Sequence, residues 1–174
     1  MADGQALPPF RPLPQKEPDI EMVRKDDGTI YLTPRQSPGD RPKTIPHCLD
    51  ERAAEHPDRP WLKQREPETD QWRTVTYGEG KKKVDALAQA FLDMGAGPKS
   101  PVMILSGNSI ESALVIMAAQ KIGAPAAPIS VPYSTMSTDF GKLKHCFEAV
   151  QPKAIFVQDA ATFKNALGAL GDHG

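Results

Sequence analysis

The sequence is short of several things that would have fixed its class at once. Charge of one sign is missing: 21 Lys and Arg stand against 22 Asp and Glu, a formal net charge of -1. That balance leaves no electrostatic footprint for nucleic acid. Long hydrophobic runs are missing too. The longest uninterrupted apolar stretch, ALVIMAA at 113–119, falls far short of the ~20 residues that a membrane span needs. The opening MADGQALPPF carries an acid where a secretory signal needs base, and it has no apolar core. Cysteine is scarce. Cys48 and Cys146 each follow a histidine, His47 and His145, and four such groups invite a zinc reading. Adjacent residues on a helix diverge, however, whereas helical metal pairs use i, i+3 or i, i+4 spacing. Cys146 also falls on an apolar stripe, where a free thiol usually sits. Both read as reduced thiols of a cytoplasmic protein, and no metal site is expected. Finally, neither G-x-G-x-x-G nor G-x-x-x-x-G-K-[ST] occurs, so the common glycine-rich phosphate cradles are excluded.

What is present is unevenly spread. Apolar residues make up 39% and mean hydropathy is -0.45, low because nine of the 18 prolines fall within the first 46 residues. Residues 1–18 are Pro-rich and aperiodic, and read as an extended tail. Residues 19–75 read as β-hairpins and a short helix. In IEMVRKDDGTIYL, Asp26-Asp27-Gly28 supplies a tight turn between β-prone runs, giving a hairpin over 20–32. A helix follows over Ile45–Glu55, then a second hairpin, WLKQR and WRTVT, joined by EPETD. Neither ribbon is expected to be stable alone.

From Thr76 the period changes. Thr76 and Glu79 form a T-x-x-E capping box at the head of a helix over 77–94. Val84, Leu87, Ala88, Phe91 and Leu92 form its apolar stripe, and Gly95 ends it. Lys81-Lys82-Lys83 on this helix reads as a solvated face. The run VMIL at 102–105 reads as a strand buried on both faces. A helix over 109–122, a strand over 126–129, a helix over 138–150 with Phe140, Leu143, Phe147 and Val150 on one side, a strand over 154–157 and a helix over 160–170 complete the chain. Strands alternating with helices predict an α/β fold: an incomplete doubly wound parallel sheet with helices on both faces, preceded by β-hairpins. Residues 76–174 would form this Rossmann-like subdomain, which reads as cut short. Between the first strand and its helix, Ser106-Gly107-Asn108-Ser109 is either a turn with a helix cap or a phosphate cradle; one glycine beside a cap favours the turn.

The stretch TVTYGEGKKKVDALAQAFLDMGAGPKSPVMILSGNSIESALVIMAAQKIGAPAAPIS resembles the N-terminal subdomain of adenylate-forming acyl-CoA synthetases. The matching positions are Thr76, Tyr77, Glu79, Gly95, Asn108, Ala118, Gly123, Ala124 and Pro128. Upstream, DERAAEHPDRPWL looks like the family's opening helix leading into a strand. PISVPYS followed by DFGKL, with the early hairpin, is closest to the feruloyl-CoA synthetase branch. The resemblance covers roughly residues 18 to 170.

The resemblance implies that the full enzyme activates a small aromatic carboxylic acid with ATP and Mg²⁺. The products of that step are an acyl-adenylate and pyrophosphate, and CoA then takes the acyl group as a thioester. The family's phosphate loop ending in Pro-Lys, its aromatic-Gly-x-Thr-Glu motif, the Asp on the ribose and the catalytic lysine all follow the region represented here. No catalytic residue is therefore assigned. The chain alone is expected to bind no cofactor and to be inactive, and Gly107-Asn108 reads as scaffold. Asp85, Asp93 and Glu111 are expected at solvent or at helix caps, and His56 and His173 at the surface. Ser130, Pro132 and Tyr133, after the 126–129 strand, are candidates to border the CoA channel; alternatively Pro132 stiffens a turn and Tyr133 packs on the next helix. Uncovered apolar surface is expected to favour self-association. Two other readings stay open: a free-standing Rossmann-like binding or interaction module, and a degenerate relative with a structural role.

Overall fold

Turn chemistry organises the N-terminal part of the computed structural model, which describes residues 17–41 and 43–171. The contacts divide the chain into two compact units, Met1–Arg41 and Pro42–Gly174. In the first, β1 (Ile20–Arg24) and β2 (Ile30–Pro34) pair antiparallel, with Met22 opposite Leu32. Of the loop residues only Gly28 takes a positive φ, 86°. Its N–H donates to the Lys25 carbonyl at 3.0 Å, and the Lys25 N–H donates to the Thr29 carbonyl at 2.9 Å. The loop is thus a three-residue turn closed by a left-handed glycine rather than a two-residue turn. Most of the Pro-rich tail lies outside the described residues, as does His173.

In the second unit Thr44 caps α1 (Ile45–Glu55) by accepting from the His47 N–H at 3.2 Å. The hairpin β3 (Pro60–Arg65) and β4 (Trp72–Thr76) runs directly into α2 (Tyr77–Asp93). The capping box is complete: the Glu79 N–H donates to Thr76 Oγ1 at 3.2 Å, and the Thr76 N–H donates to Glu79 Oε2 at 3.0 Å. At the other end Gly95, with φ 81°, turns the chain so that the Ala96 N–H reaches the Phe91 carbonyl at 2.8 Å. This is the glycine-dependent helix stop. Gly80 matters for a different reason. A Cβ there would stand 2.4 Å from Trp61 Cε3, so a glycine near the start of α2 makes room for the Trp61 ring.

The sheet has the order β6-β5-β7, all parallel. Strand β5 (Val102–Leu105) is central and buried throughout, between β6 (Ala126–Pro128) and β7 (Ala154–Val157). Side-chain alternation splits its four residues between two cores. Val102 and Ile104 join Val84, Phe91 and Leu114 from α2 and α3 (Ile110–Lys121). Met103 and Leu105 join Leu143 from α5 (Gly141–Val150), with Phe163 and residues of α6 (Lys164–Leu170). The chain moves from β5 to β6 and then back across β5 to β7. With crossovers of one hand, that reversal puts α3 and α5 on opposite faces. The sheet is therefore doubly wound, as the alternation of elements predicts.

The differences from the sequence reading are local. The helix expected over 138–150 begins at 141: Phe140 takes a left-handed φ of 56°, held by the Ser137 hydroxyl accepting from its N–H at 2.9 Å. The helix expected over 160–170 begins at 164, because the Asp159 carboxylate captures the N–H groups of Ala161 and Thr162 in a separate turn. An unexpected helical turn, α4 (Pro132–Thr135), follows β6. Leu92, expected in the apolar stripe, is 49% exposed at the end of α2. Asp85 does not face solvent alone: it bridges Lys81 and Lys121, both at 2.5 Å, and Lys121 also reaches Asp50 at 2.7 Å. This cluster ties α1, α2 and α3 together, and it takes Lys81 out of the solvated face. Burial pushes the Asp85 carboxyl up, but the lysine hydrogen bonds outweigh it and the net shift is down.

Candidate functional site

In an open α/β sheet, ligands bind beyond the carboxyl ends of the strands. Three loops leave that edge here: 106–109 after β5, 129–131 after β6 and 158–163 after β7.

The first loop is closed by protein groups. The Gly107 N–H donates to Gln158 Oε1 at 3.1 Å, and the Ser106 hydroxyl lies 3.0 Å from the same oxygen. Ser109 caps α3 by accepting from the Ser112 N–H at 3.0 Å. Gln64, on β3, accepts from the Ile110 N–H at 2.8 Å. Three N–H groups that a phosphate could use here, those of Gly107, Ile110 and Ser112, are therefore already engaged. With those donors taken, the loop is a poor fit for a nucleotide phosphate. Gln64 and Gln158 carry this closure, and nothing in the sequence marked them: their partners lie 46 and 51 residues away. Among the described residues, no three His, Cys, Asp or Glu side chains come together to hold a metal ion. Cys48 and Cys146 are free thiols on α1 and α5.

The loop after β6 offers the more open space. Ser130 is exposed and accepts from the Tyr133 N–H at 3.0 Å, starting α4. Pro132 and Tyr133 line a cavity of about 470 Å³ together with Met136, Ser137, Asp139, Gly141 and Lys142. Pro132 presets the first turn of α4. Tyr133 is half-buried against the second core, and Lys142 Nζ lies 5.3 Å from its ring centroid. The Gly141 N–H and the Ser137 hydroxyl hold the Asp139 carboxyl, also on this lining, below the ordinary carboxylate range. The cavity thus combines an aromatic wall, one cation and one anion. Its one hydroxyl–carboxylate contact, Ser137 donating to Asp139 at 3.0 Å, belongs to the turn before α5, where the same hydroxyl accepts from the Phe140 N–H. Of the three candidate residues, Pro132 and Tyr133 share this wall, while Ser130 stands at the turn before it.

The family model for AMP-binding enzymes matches residues 49–173. The chain belongs to the AMP-binding enzyme family. Its similarity to curated relatives is regional: 30% identity over 98 residues with surfactin synthase subunit 1 of Bacillus subtilis (strain 168), covering 56% of this chain and 3% of that protein. Acetyl-coenzyme A synthetase 1 of Candida albicans is 31% identical over 91 residues, covering 52% of this chain and 14% of that one. Among solved structures, the N-terminal domain of FACL13 from Mycobacterium tuberculosis aligns with a TM-score of 0.60 and 24% identity, over 75% of this chain and 31% of that one. A fatty acyl-adenylate ligase from L. pneumophila, in complex with acyl adenylate and pyrophosphate, aligns with a TM-score of 0.59 and 19% identity, over 66% and 19%. These structural likenesses establish the fold: the hairpin, the parallel sheet and its two helical layers are those of the N-terminal region of AMP-binding enzymes. No helix among the described residues is long and apolar enough to cross a membrane.

Proposed function

We propose that this chain is the N-terminal portion of a cytoplasmic aromatic acid–CoA ligase of the feruloyl-CoA synthetase type. The observation that carries the reading is the coverage asymmetry: three quarters of this chain aligns with less than a third of the FACL13 N-terminal domain. The nucleotide-binding parts of such an enzyme then belong to sequence following this region, consistent with the filled donors at Gly107 and Ile110. In the complete enzyme, a small aromatic carboxylate attacks the α-phosphate of ATP with Mg²⁺ present. Pyrophosphate leaves, and the thiol of CoA displaces AMP from the acyl-adenylate. A carboxylate is a poor electrophile, and adenylation supplies its leaving group. The part described here acts as scaffold, with Ser130, Pro132 and Tyr133 bordering the path of the CoA arm.

The test is pyrophosphate release from ATP and ferulate, with and without CoA. The 174-residue chain alone should give no release above a no-protein control. A protein extended through the phosphate loop and the catalytic lysine should give ferulate-dependent release, with AMP and thioester accumulating when CoA is added. Release by the short chain would overturn its role as scaffold. An extended protein that accepts acetate or aliphatic acids but ignores ferulate would overturn the aromatic assignment.

A further inference from the structure

The β1–β2 ribbon precedes the residues matched by the family model, which begin at 49, and it belongs to a compact unit of its own, Met1–Arg41. Directly paired residues of an antiparallel ladder share a face. The register therefore puts Ile20, Met22, Ile30, Leu32 and Pro34 on one face, with Arg24 as its single charge. Glu21, Val23, Tyr31 and Thr33 occupy the other. On the first face Ile20, Met22, Ile30 and Leu32 are 46% to 64% exposed. The second face is already partly served: Lys25 Nζ lies 4.6 Å from the Tyr31 ring centroid and 3.2 Å from its hydroxyl. A two-stranded ribbon is marginal in water, and packing a further element on its apolar face is what stabilises one.

The sequence just before β1 has a matching edge. Polyproline II, the conformation that proline favours, repeats every three residues. In LPPFRPLP at 7–14, Leu7, Phe10 and Leu13 stand three apart, which aligns them along one edge of a polyproline II segment about 19 Å long. A five-residue strand is about 17 Å long. Residues 14–19 connect the two. Six residues reach up to about 20 Å, enough to reverse across the ~10 Å that separates packed layers.

We propose that residues 7–13 fold back over the apolar face of the β1–β2 ribbon, with Leu13 beside Ile20, Phe10 over Met22 and Leu32, and Leu7 beside Ile30. The occupant lies within this chain, so the proposal is independent of the ligase reading. Such a segment makes no internal hydrogen bonds and keeps its backbone solvated, so it docks through side chains and asks nothing of the ribbon's edges. A second copy suits the face less well. Two ribbons stacked face to face would contribute five apolar residues each, far below the roughly 20–30 residues a side of a standard interface.

Hydrogen exchange tests this. The Lys25 N–H to Thr29 carbonyl and Arg35 N–H to Asp19 carbonyl bonds fix the phase of the ladder, so the N–H groups of Val23 and Tyr31 are paired across the ribbon. Removing residues 1–16 should speed exchange at both amides about tenfold, the scale of one aliphatic side chain left uncovered. A synthetic peptide of residues 1–16, added to the shortened chain, should restore the protection. Leu32→Thr keeps a strand-forming residue and should cancel most of the effect of the tail, whereas Val23→Thr, on the other face, should leave that effect intact. Nuclear Overhauser contacts should join the Phe10 ring to the methyl groups of Met22 and Leu32. Exchange that is the same with and without residues 1–16 overturns the proposal, as does an equal response to Leu32→Thr and Val23→Thr. Protection that rises with protein concentration overturns it too, because a second copy would then cover the face.

Discussion

Arg73 is the clearest electrostatic joint between the β3–β4 hairpin and the parallel-sheet layer, and removing it should have a measurable, pH-gated cost. Its guanidinium makes a two-pronged contact with Glu111, in the first turn of α3: Nη1 to Oε1 at 2.5 Å and Nη2 to Oε2 at 3.0 Å. Its Nε donates to Glu66 at 2.7 Å. The planar fork matches the carboxylate, which favours a strong pair. Side-chain exposures of 40% and 43% let solvent screen it, which limits the gain. The expected coupling is about 1 kcal/mol, at the top of the range for exposed pairs. A double-mutant cycle with Arg73→Gln and Glu111→Gln isolates that term from the separate benefit of an acid at a helix start. The Arg73 hydrogen bonds hold the Glu111 carboxyl below its ordinary value of 4.5. A depressed folded-state pKa stabilises above the unfolded value, and that stability is lost as pH falls through the folded one. The coupling should therefore be full near pH 7 and fade at an acid pH below the lowered value of the Glu111 carboxyl, where it protonates. Urea melts of the four proteins at both pH values measure it. Coupling indistinguishable from zero at neutral pH, or unchanged in acid, would refute the reasoning.

Gly80→Ala should destabilise the chain by roughly 1–3 kcal/mol in urea melts, because the added methyl would overlap the Trp61 ring and overpacking outweighs the better helix propensity; a stabilised variant would show that Trp61 moves aside freely. If the full-length protein is the proposed ligase, Tyr133→Ala in it should slow thioester formation while leaving acyl-adenylate formation close to wild type. Equal loss in both half-reactions, or in neither, would remove Tyr133 from the CoA path.

Much of the layer order was legible because it depends on short-range signals. VMIL is apolar at every position, as a strand buried on both faces must be, and the Thr76–Glu79 box and Gly95 bracket α2 with local chemistry. Where the reading slipped, local chemistry competed with itself. Ser137 and Asp159 are good caps, but each captures backbone N–H groups in a turn placed before the helix instead of starting it. A left-handed Phe140 has no composition signal at all, because that region normally belongs to glycine.

The groups that close the carboxyl edge were illegible for another reason. Gln158 and Gln64 act across 51 and 46 residues, and Lys121 meets Asp50 across 71; such contacts exist only once the layers have docked. That same closure supports the scaffold role. A loop meant to hold phosphate would keep its N–H groups free to accept an anion, whereas here the Gly107 and Ile110 N–H groups go to two glutamines that tie β7 to the loop after β5 and β3 to the start of α3. Locking is what a scaffold does. In this chain the larger open space at the carboxyl edge therefore lies at the Tyr133 cavity, and not at the glycine turn that first invites a nucleotide.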